Sequence, residues 1–321
     1  MENTERKQFR KDINRIAGGL CLYMIVMIVC VIGGMIIGMI QITLNSTQPD
    51  LLDQEIDSYI MQATNSGFSS IVGIFAGGLI LFIYFWKSGL IHRLTASNKR
   101  MNKHVFLEIL IVLLSTQLVF NVGGEVIERL LNQFGFSIME QIESATAGST
   151  SVSMFLYASF LGPITEEIVF RGFVLRSLEK YGRHFAIVTS AIMFGLFHAN
   201  FIQGIFAFFV GLILGYVAME YSIKWSIAFH IFNNFIFGDV LFFILGNFES
   251  TSAMIAISVL DLIFFVGGIY IICFRRKKEV HQYLQLEKTN RELYIQAFTT
   301  LWMLLFMTAE IIMSFLGITK L

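Results

Sequence analysis

The sequence predicts an all-α, polytopic transmembrane bundle of about eight or nine helices. Three observations carry that prediction. The chain has 321 residues, 55% of them hydrophobic and 14% charged, with a mean hydropathy of +0.70, where soluble domains carry about 25% charge. Its apolar residues fall in long blocks, most of them near the roughly 20 residues that cross a bilayer. Its lysines and arginines gather in alternate connections, the asymmetry that orients a multi-pass chain.

Taken in order, residues 1–15 read as a cytoplasmic tail and 16–321 as one transmembrane domain. The first apolar block, near 18–42, is longer than a signal-peptide core and lacks a cleavage site, so it reads as a retained helix. Spans are expected at 17–43, 66–86, 105–123, 151–178, 185–200, 204–222, 225–246, 252–273 and 297–317. Residues 124–150 read as an amphipathic outer segment, and 275–296 as a cytoplasmic helix whose basic start meets anionic lipid headgroups. Of the 23 lysines and arginines, all but Arg129, Arg171 and Lys320 fall on the side of the N-terminal tail. The loop over 45–66 has no basic residue and carries Asp50, Asp53, Glu55 and Asp57 instead. The N-terminus is therefore expected in the cytoplasm. Gly34/Gly38, Gly73/Gly77 and Gly211/Gly215 have the spacing that lets helices approach closely, and packing within the bundle is their expected role. Cys21, Cys30 and Cys273 lie in apolar segments with no CxxC spacing and read as packing residues. A net charge of zero leaves no nucleic-acid footprint.

Against that apolar background, the stretch GPITEEIVFRG (residues 162–172) is out of place. A charge in the bilayer interior costs at least about 2.5 kcal/mol, so it marks a function or needs a partner. Glu167 and Arg171, four residues apart, share a helical face and can pair. Glu166 points elsewhere and has no local partner, which suits it to accept a proton. Pro163 removes a backbone N–H and should free the Ser159 carbonyl or open a new helix start. His198 ends FGLFH, and His230 and Asn234 lie four apart on one face of HIFNN. At 1.5 Å per residue, counting from Lys180, His184 and Lys224 at the cytoplasmic ends puts Glu166 and His198 about 21 Å deep, Asn234 about 15 Å and His230 about 9 Å. Taken singly, a membrane histidine or asparagine is more often interhelical glue. Asn200 and Gln203 read as a loop capping its own backbone, and Glu108, Glu220 and Glu310 as structural. Asp239 and Asp261 lie on separate helices without the glycine context of an aspartyl pair. A free glutamate, two histidines and an asparagine together point to catalysis.

EEIVFR (Glu166, Glu167, Arg171), FGLFH (Phe194, His198) and HIFNN (His230, Asn234) resemble the motifs EExxxR, FxxxH and HxxxN/D. These define the CAAX-protease and bacteriocin-processing (Abi) family of intramembrane endopeptidases. The resemblance covers about 151–246, under a third of the chain, and the flanking helices are not diagnostic. It implies that Glu166 activates the attacking water with His198, that His230 and Asn234 stabilise the oxyanion, and that Glu167 and Arg171 support the helix geometry. It leaves open whether Glu166, His198 and His230 bind zinc or act on water directly. The chain has no HExxH, yet two histidines and a glutamate from three helices can form a three-ligand site with an open position.

The expectation is hydrolysis of a hydrophobic or membrane-tethered peptide or protein, as in CAAX-type proteolysis, bacteriocin processing or self-immunity. The setting expected is a bacterial plasma membrane, with lipid as the surroundings and no nucleic-acid partner. The alternative is a non-proteolytic scaffold or bacteriocin-immunity binding protein on the same fold. A transporter would show an inverted repeat, and the sequence has none.

Overall fold

A computed structural model describes residues 3–47, 49–90, 94, 97–245, 250–286 and 290–321. The described chain is almost wholly helical, an all-α polytopic bundle. Its helices are α1 (Asn3–Asn45), α2 (Leu52–Thr64), α3 (Phe68–Phe85), α4 (Lys103–Leu114), α5 (Gln117–Asn132), α6 (Met139–Thr146), α7 (Val152–Tyr181), α8 (Arg183–Phe197) and α9 (Phe201–Glu220). They continue with α10 (223–245), α11 (Ser250–Tyr270), α12 (Lys277–Leu286), α13 (Arg291–Phe298) and α14 (Leu301–Leu316). Two short strands, β1 (Phe136–Ser137) and β2 (Thr319–Lys320), pair antiparallel with Phe136 opposite Lys320.

Among the described residues, six helices are long and apolar enough to cross a membrane, or seven if the α13–α14 pair, bent by 76°, counts as one span. The expected eight or nine is not reached on those criteria, and two of the expected spans account for much of the difference. Helix α8 has 15 residues, too few to span. Helix α10 changes character at Asn233–Val240, where it becomes π-helical; the last residue of the span expected there, 246, lies outside the described residues. The outer segment expected at 124–150 divides. Its first part extends a helix over Lys103–Asn132, across a break where Ser115 and Thr116 hydroxyls donate back to the Val112 and Leu113 carbonyls, each at 2.6 Å. Its second part folds over the outer end, where Glu128 accepts from the Ser137 hydroxyl and the Ile138 N–H, both at 2.7 Å. The helix expected at 275–296 is likewise two, α12 and α13, on either side of the undescribed 287–289.

Small residues set how closely the helices approach. A Cβ built on Gly77 of α3 would lie 2.8 Å from the Tyr23 ring of α1, and one on Gly211 of α9 would lie 3.2 Å from Ala191 of α8. These glycines serve packing within the bundle. At Gly195 a Cβ would lie 2.6 Å from the backbone oxygen of Gly204, so α8 and α9 touch backbone to backbone. Gly195→Val is therefore expected to force these helices apart and to lower the melting temperature in detergent by more than Gly78→Val, where a Cβ meets open space. On the basic side, Asp12 of α1 accepts from Lys180 and Tyr181 at the end of α7. Arg183 and Lys99 both pair with Glu220, and Arg275 and Arg276 with Glu108. Glu108 and Glu220 are thus structural ion-pair centres.

Candidate active site

The site is built on α7, α8 and α10: α7 packs against both of the others, and Phe194 of α8 meets His230 of α10. Helix α7 is irregular where the sequence predicts it. Tyr157–Leu161 is π-helical, closing with a Gly162 N–H to Tyr157 carbonyl bond. In that register the N–H missing from Pro163 would have met the Ala158 carbonyl, so the freed acceptor is Ala158 rather than Ser159. Asn234 fills the gap, its side-chain N–H donating to Ala158 O at 3.1 Å. The Asn234 Oδ1 accepts from Asn233 at 3.2 Å, and Asn233 in turn accepts from Gln117 at 2.9 Å. This polar chain satisfies an acceptor that has no water to turn to inside a bilayer.

Glu167 is fully buried and more heavily engaged than the i,i+4 pairing alone requires. Its Oε1 lies 3.3 Å from Arg171 Nη1 and 3.0 Å from His230 Nδ1, while Oε2 accepts from the Ser226 hydroxyl. Because a carboxylate only accepts, His230 must carry its proton on Nδ1. The opposite nitrogen, Nε2, faces Glu166 Oε2 at 3.7 Å. His230 therefore stands between the two carboxylates, one orienting it and the other exposed to solvent or substrate, with 19% of its side chain accessible.

His198 is half-buried at the end of α8, and its Nδ1 lies 2.9 Å from the Phe194 carbonyl. A carbonyl also only accepts, so this ring too is held with Nδ1–H donating and Nε2 free. Its ring meets that of Phe194, which also meets His230. Directly after His198 the chain turns sharply through Ala199, at φ +47°, a left-handed conformation that costs a non-glycine residue energy. Asn200 caps α9 by accepting from Gln203 N–H at 3.0 Å, and Gln141 of α6 clamps the turn through Phe201 N–H at 2.6 Å. The loop-capping reading of Asn200 and Gln203 thus describes the geometry.

Phe194 is the shared surface of the site. The Arg171 guanidinium sits 4.2 Å from its ring centre, His198 packs edge-on at 4.8 Å and His230 edge-on at 5.8 Å. The spacing in FxxxH thus does two jobs, since the Phe194 carbonyl fixes the tautomer of His198 and its ring fixes the plane of both histidines. Ser226, Gln117 and Asn233 were not singled out from the sequence. Serine, glutamine and asparagine are common in membrane helices, and nothing in their spacing marks them.

The structure brings Glu166, Glu167, Arg171, His198, His230 and Asn234 to one region. Asp239 and Asp261 have separate partners, Ser159 and the Ser149 N–H for the first and Asn121 at 2.6 Å for the second. For zinc, the two rings have the orientation of ligands, with each Nδ1–H given to an acceptor. The three side chains do not converge, however: among the described residues no three His, Cys, Asp or Glu groups lie close enough to hold a metal ion. As placed they do not fit a zinc centre, and no step below runs through one.

Residues 148–236 match the family described as "Type II CAAX prenyl endopeptidase Rce1-like". No curated protein and no solved structure matches the chain. The matched segment contains all six residues above and ends before α10 does. It covers neither the first six helices nor the last four.

Proposed function

We propose, from the match of residues 148–236 to the Rce1-like endopeptidase family, that this chain cleaves a hydrophobic or membrane-tethered peptide or protein inside the bilayer. The reading takes the basic side as cytoplasmic, the membrane as a bacterial plasma membrane and the substrate as entering from the cytoplasm, as the distribution of lysine and arginine supports. CAAX-type trimming, bacteriocin processing and self-immunity all supply substrates of this chemical class. The observation that carries the mechanism is His230 held between Glu167 at 3.0 Å and Glu166 at 3.7 Å.

Glu166 is the general base. It takes a proton from a water that the free Nε2 of His198 helps to hold, and the hydroxide attacks the scissile carbonyl carbon. The new C–O bond produces a tetrahedral oxyanion, toward which Asn234 can direct the amide proton not given to Ala158. Glu166 passes its proton to Nε2 of His230, and the resulting imidazolium is stabilised by Glu167 on its other side. When the C–N bond breaks, His230 gives that proton to the leaving amine. Arg171 neutralises Glu167 throughout. If zinc were bound, Glu166, His198 and His230 would be the residues to hold it and it would supply Lewis-acid chemistry there, an arrangement their present positions do not form.

The test is cleavage of a fluorogenic hydrophobic peptide library by purified protein in detergent, with and without a chelator. Glu166→Gln is expected to lower kcat by at least about a thousandfold, with elution profile and melting temperature unchanged. Wild-type cleavage that survives thorough chelation supports direct water activation. Cleavage that is lost on chelation and restored by zinc would replace this mechanism with the metal one. Undiminished cleavage by Glu166→Gln would remove the assignment of the base. A Glu166→Gln chain that keeps its biological activity would make the protein a binding scaffold.

A further inference from the structure

A cavity of about 690 Å³ lies between α4, α9, α12 and the turn that follows α11, within the roughly 300–1,000 Å³ usual for small-ligand sites. Its lining is sorted by depth. Along α9, Glu220, Tyr216 and Leu212 follow at four-residue steps on one helical face, so charge gives way to an apolar wall over about 12 Å. Along α4, Glu108 gives way to Val112 in the same manner. Ile109, Ile213 and Ile272 complete the apolar wall, and Tyr283 of α12 stands edge-on to Tyr216 with ring centres 5.7 Å apart. A wall graded in this way suits an amphiphile, whose chain leaves water and whose head stays at the charged rim.

The rim carries a surplus of positive charge. Glu220 is shared by Lys99, at 2.5 Å, and Arg183, while Glu108 is shared by Arg276, at 2.8 Å, and Arg275. Each of these buried carboxylates meets two cations, so each group keeps one positive charge. Glu279 also reaches Arg276, at 3.2 Å, but its side chain is 58% exposed and solvent screens that pair. Lys277 and Lys278, both exposed, open α12 and add to the excess. Lys99, Arg183 and Arg276 themselves line the cavity. A cationic rim over an apolar wall, at the basic end of a multi-pass membrane protein, is complementary to a phosphate carried on an acyl chain.

We propose that this cavity holds one acidic phospholipid, with its phosphate among Lys99, Arg183 and Arg276 and an acyl chain along α9 and α4. The site is distinct from the catalytic one, and α9 joins the two. Leu212 and Ile213 line the cavity, whereas the carbonyls of Gly211 and Leu214 accept from Arg171 at 3.5 Å and from the Ser226 hydroxyl at 3.0 Å. A seated lipid therefore backs the helix that supports the ion pair of Glu167 and Arg171. Binding is read without any peptide substrate, so it stands or falls apart from the protease reading.

The experiment is native mass spectrometry of the delipidated full chain in detergent, titrated with phosphatidylglycerol or with phosphatidylcholine of the same acyl chains. One phosphatidylglycerol per chain is expected to bind, at least about tenfold more tightly than phosphatidylcholine. Arg183→Gln/Arg276→Gln leaves Glu220 with Lys99 and Glu108 with Arg275, so no buried carboxylate is stranded. It is expected to weaken phosphatidylglycerol binding by about thirtyfold. Arg6→Gln/Lys7→Gln removes the same charge from the exposed start of α1 and is expected to change it by less than threefold. Ile213→Trp fills the apolar part and is expected to weaken both lipids by at least about tenfold. The charge and volume variants are independent, so a failure of one to fold leaves the other to decide. Equal losses in the two charge variants would mean a general attraction to basic surface and would overturn the proposal. Equal affinity for the two lipids, or undiminished binding by Ile213→Trp, would overturn it as well. Inorganic phosphate is expected not to compete; displacement of the lipid by an equal concentration of phosphate would make this a free-anion site instead.

Discussion

Glu167→Gln is expected to destabilise the protein by about 3 kcal/mol or more, because it leaves the Arg171 guanidinium buried without its counter-charge. Both side chains are completely inaccessible, and the pair is separated by 3.3 Å. Beyond that pair, among the described residues, Arg171 has the Phe194 face and a long contact to the Gly211 carbonyl at 3.5 Å. Neither replaces a carboxylate. The double variant Glu167→Gln/Arg171→Met removes the stranded charge and should recover a large part of the loss, since two neutral groups can pack where one lone cation cannot. Melting of the purified proteins in one detergent decides it. If Glu167→Gln melts with the wild type, the pair is not what holds α7 in place. Activity should separate from stability here. A glutamine oxygen can still accept the His230 Nδ1–H, so the variant is expected to keep more activity than Glu167→Leu, which removes that acceptor.

How much of this was readable beforehand can be followed residue by residue. The i,i+4 spacing of Glu167 and Arg171 fixes their pairing wherever the segment is helical, and they pair. Likewise, a proline inside an apolar span must disturb the backbone, and it does. What spacing does not give is the hydrogen-bond register: a π-helical turn moves the freed carbonyl by one residue, from Ser159 to Ala158, and only then does Asn234 become its partner. Depth counting fails for a related reason. It separates Glu166 and His230 by about 12 Å along the membrane normal, yet their polar atoms are 3.7 Å apart. Counting assumes that every helix starts at the same plane. The turn before α10 does not, because Tyr221 and Ser222 are buried and covered by segment 97–99, with Asn98 N–H on the Tyr221 carbonyl at 3.0 Å and Lys99 N–H on Glu220 at 3.1 Å. Helix α10 begins inside the protein, which carries His230 deeper than its sequence distance from Lys224 implies.

Phe194→Leu should reduce activity far more than its loss of packing explains. Removing a buried phenylalanine down to alanine costs about 3–5 kcal/mol, and leucine keeps part of that volume. The ring itself does what leucine cannot, since it is the face under Arg171 and the flat surface against which both histidines stand edge-on. The Phe194 carbonyl remains in the variant, so His198 keeps its Nδ1 bond and its tautomer. The plane of the ring and the position of Nε2 are what relax. Misplacing a catalytic group by about 1 Å can cost a hundredfold, and a kcat reduction of that order is expected with little change in KM. Phe170→Leu is the control. Phe170 is equally buried and packs on Phe194 and Phe197, at 5.1 and 5.2 Å between ring centres, and no aromatic contact joins it to either histidine. It should lower the melting temperature by a similar amount and leave kcat within a few-fold of wild type. Equal losses of kcat in the two variants at matched stability would mean that Phe194 only fills space, and the geometry of the two imidazoles would then need another source. Unequal losses would give the phenylalanine of FxxxH a physical reason: one residue supplies the carbonyl that sets a proton and the ring that sets two planes.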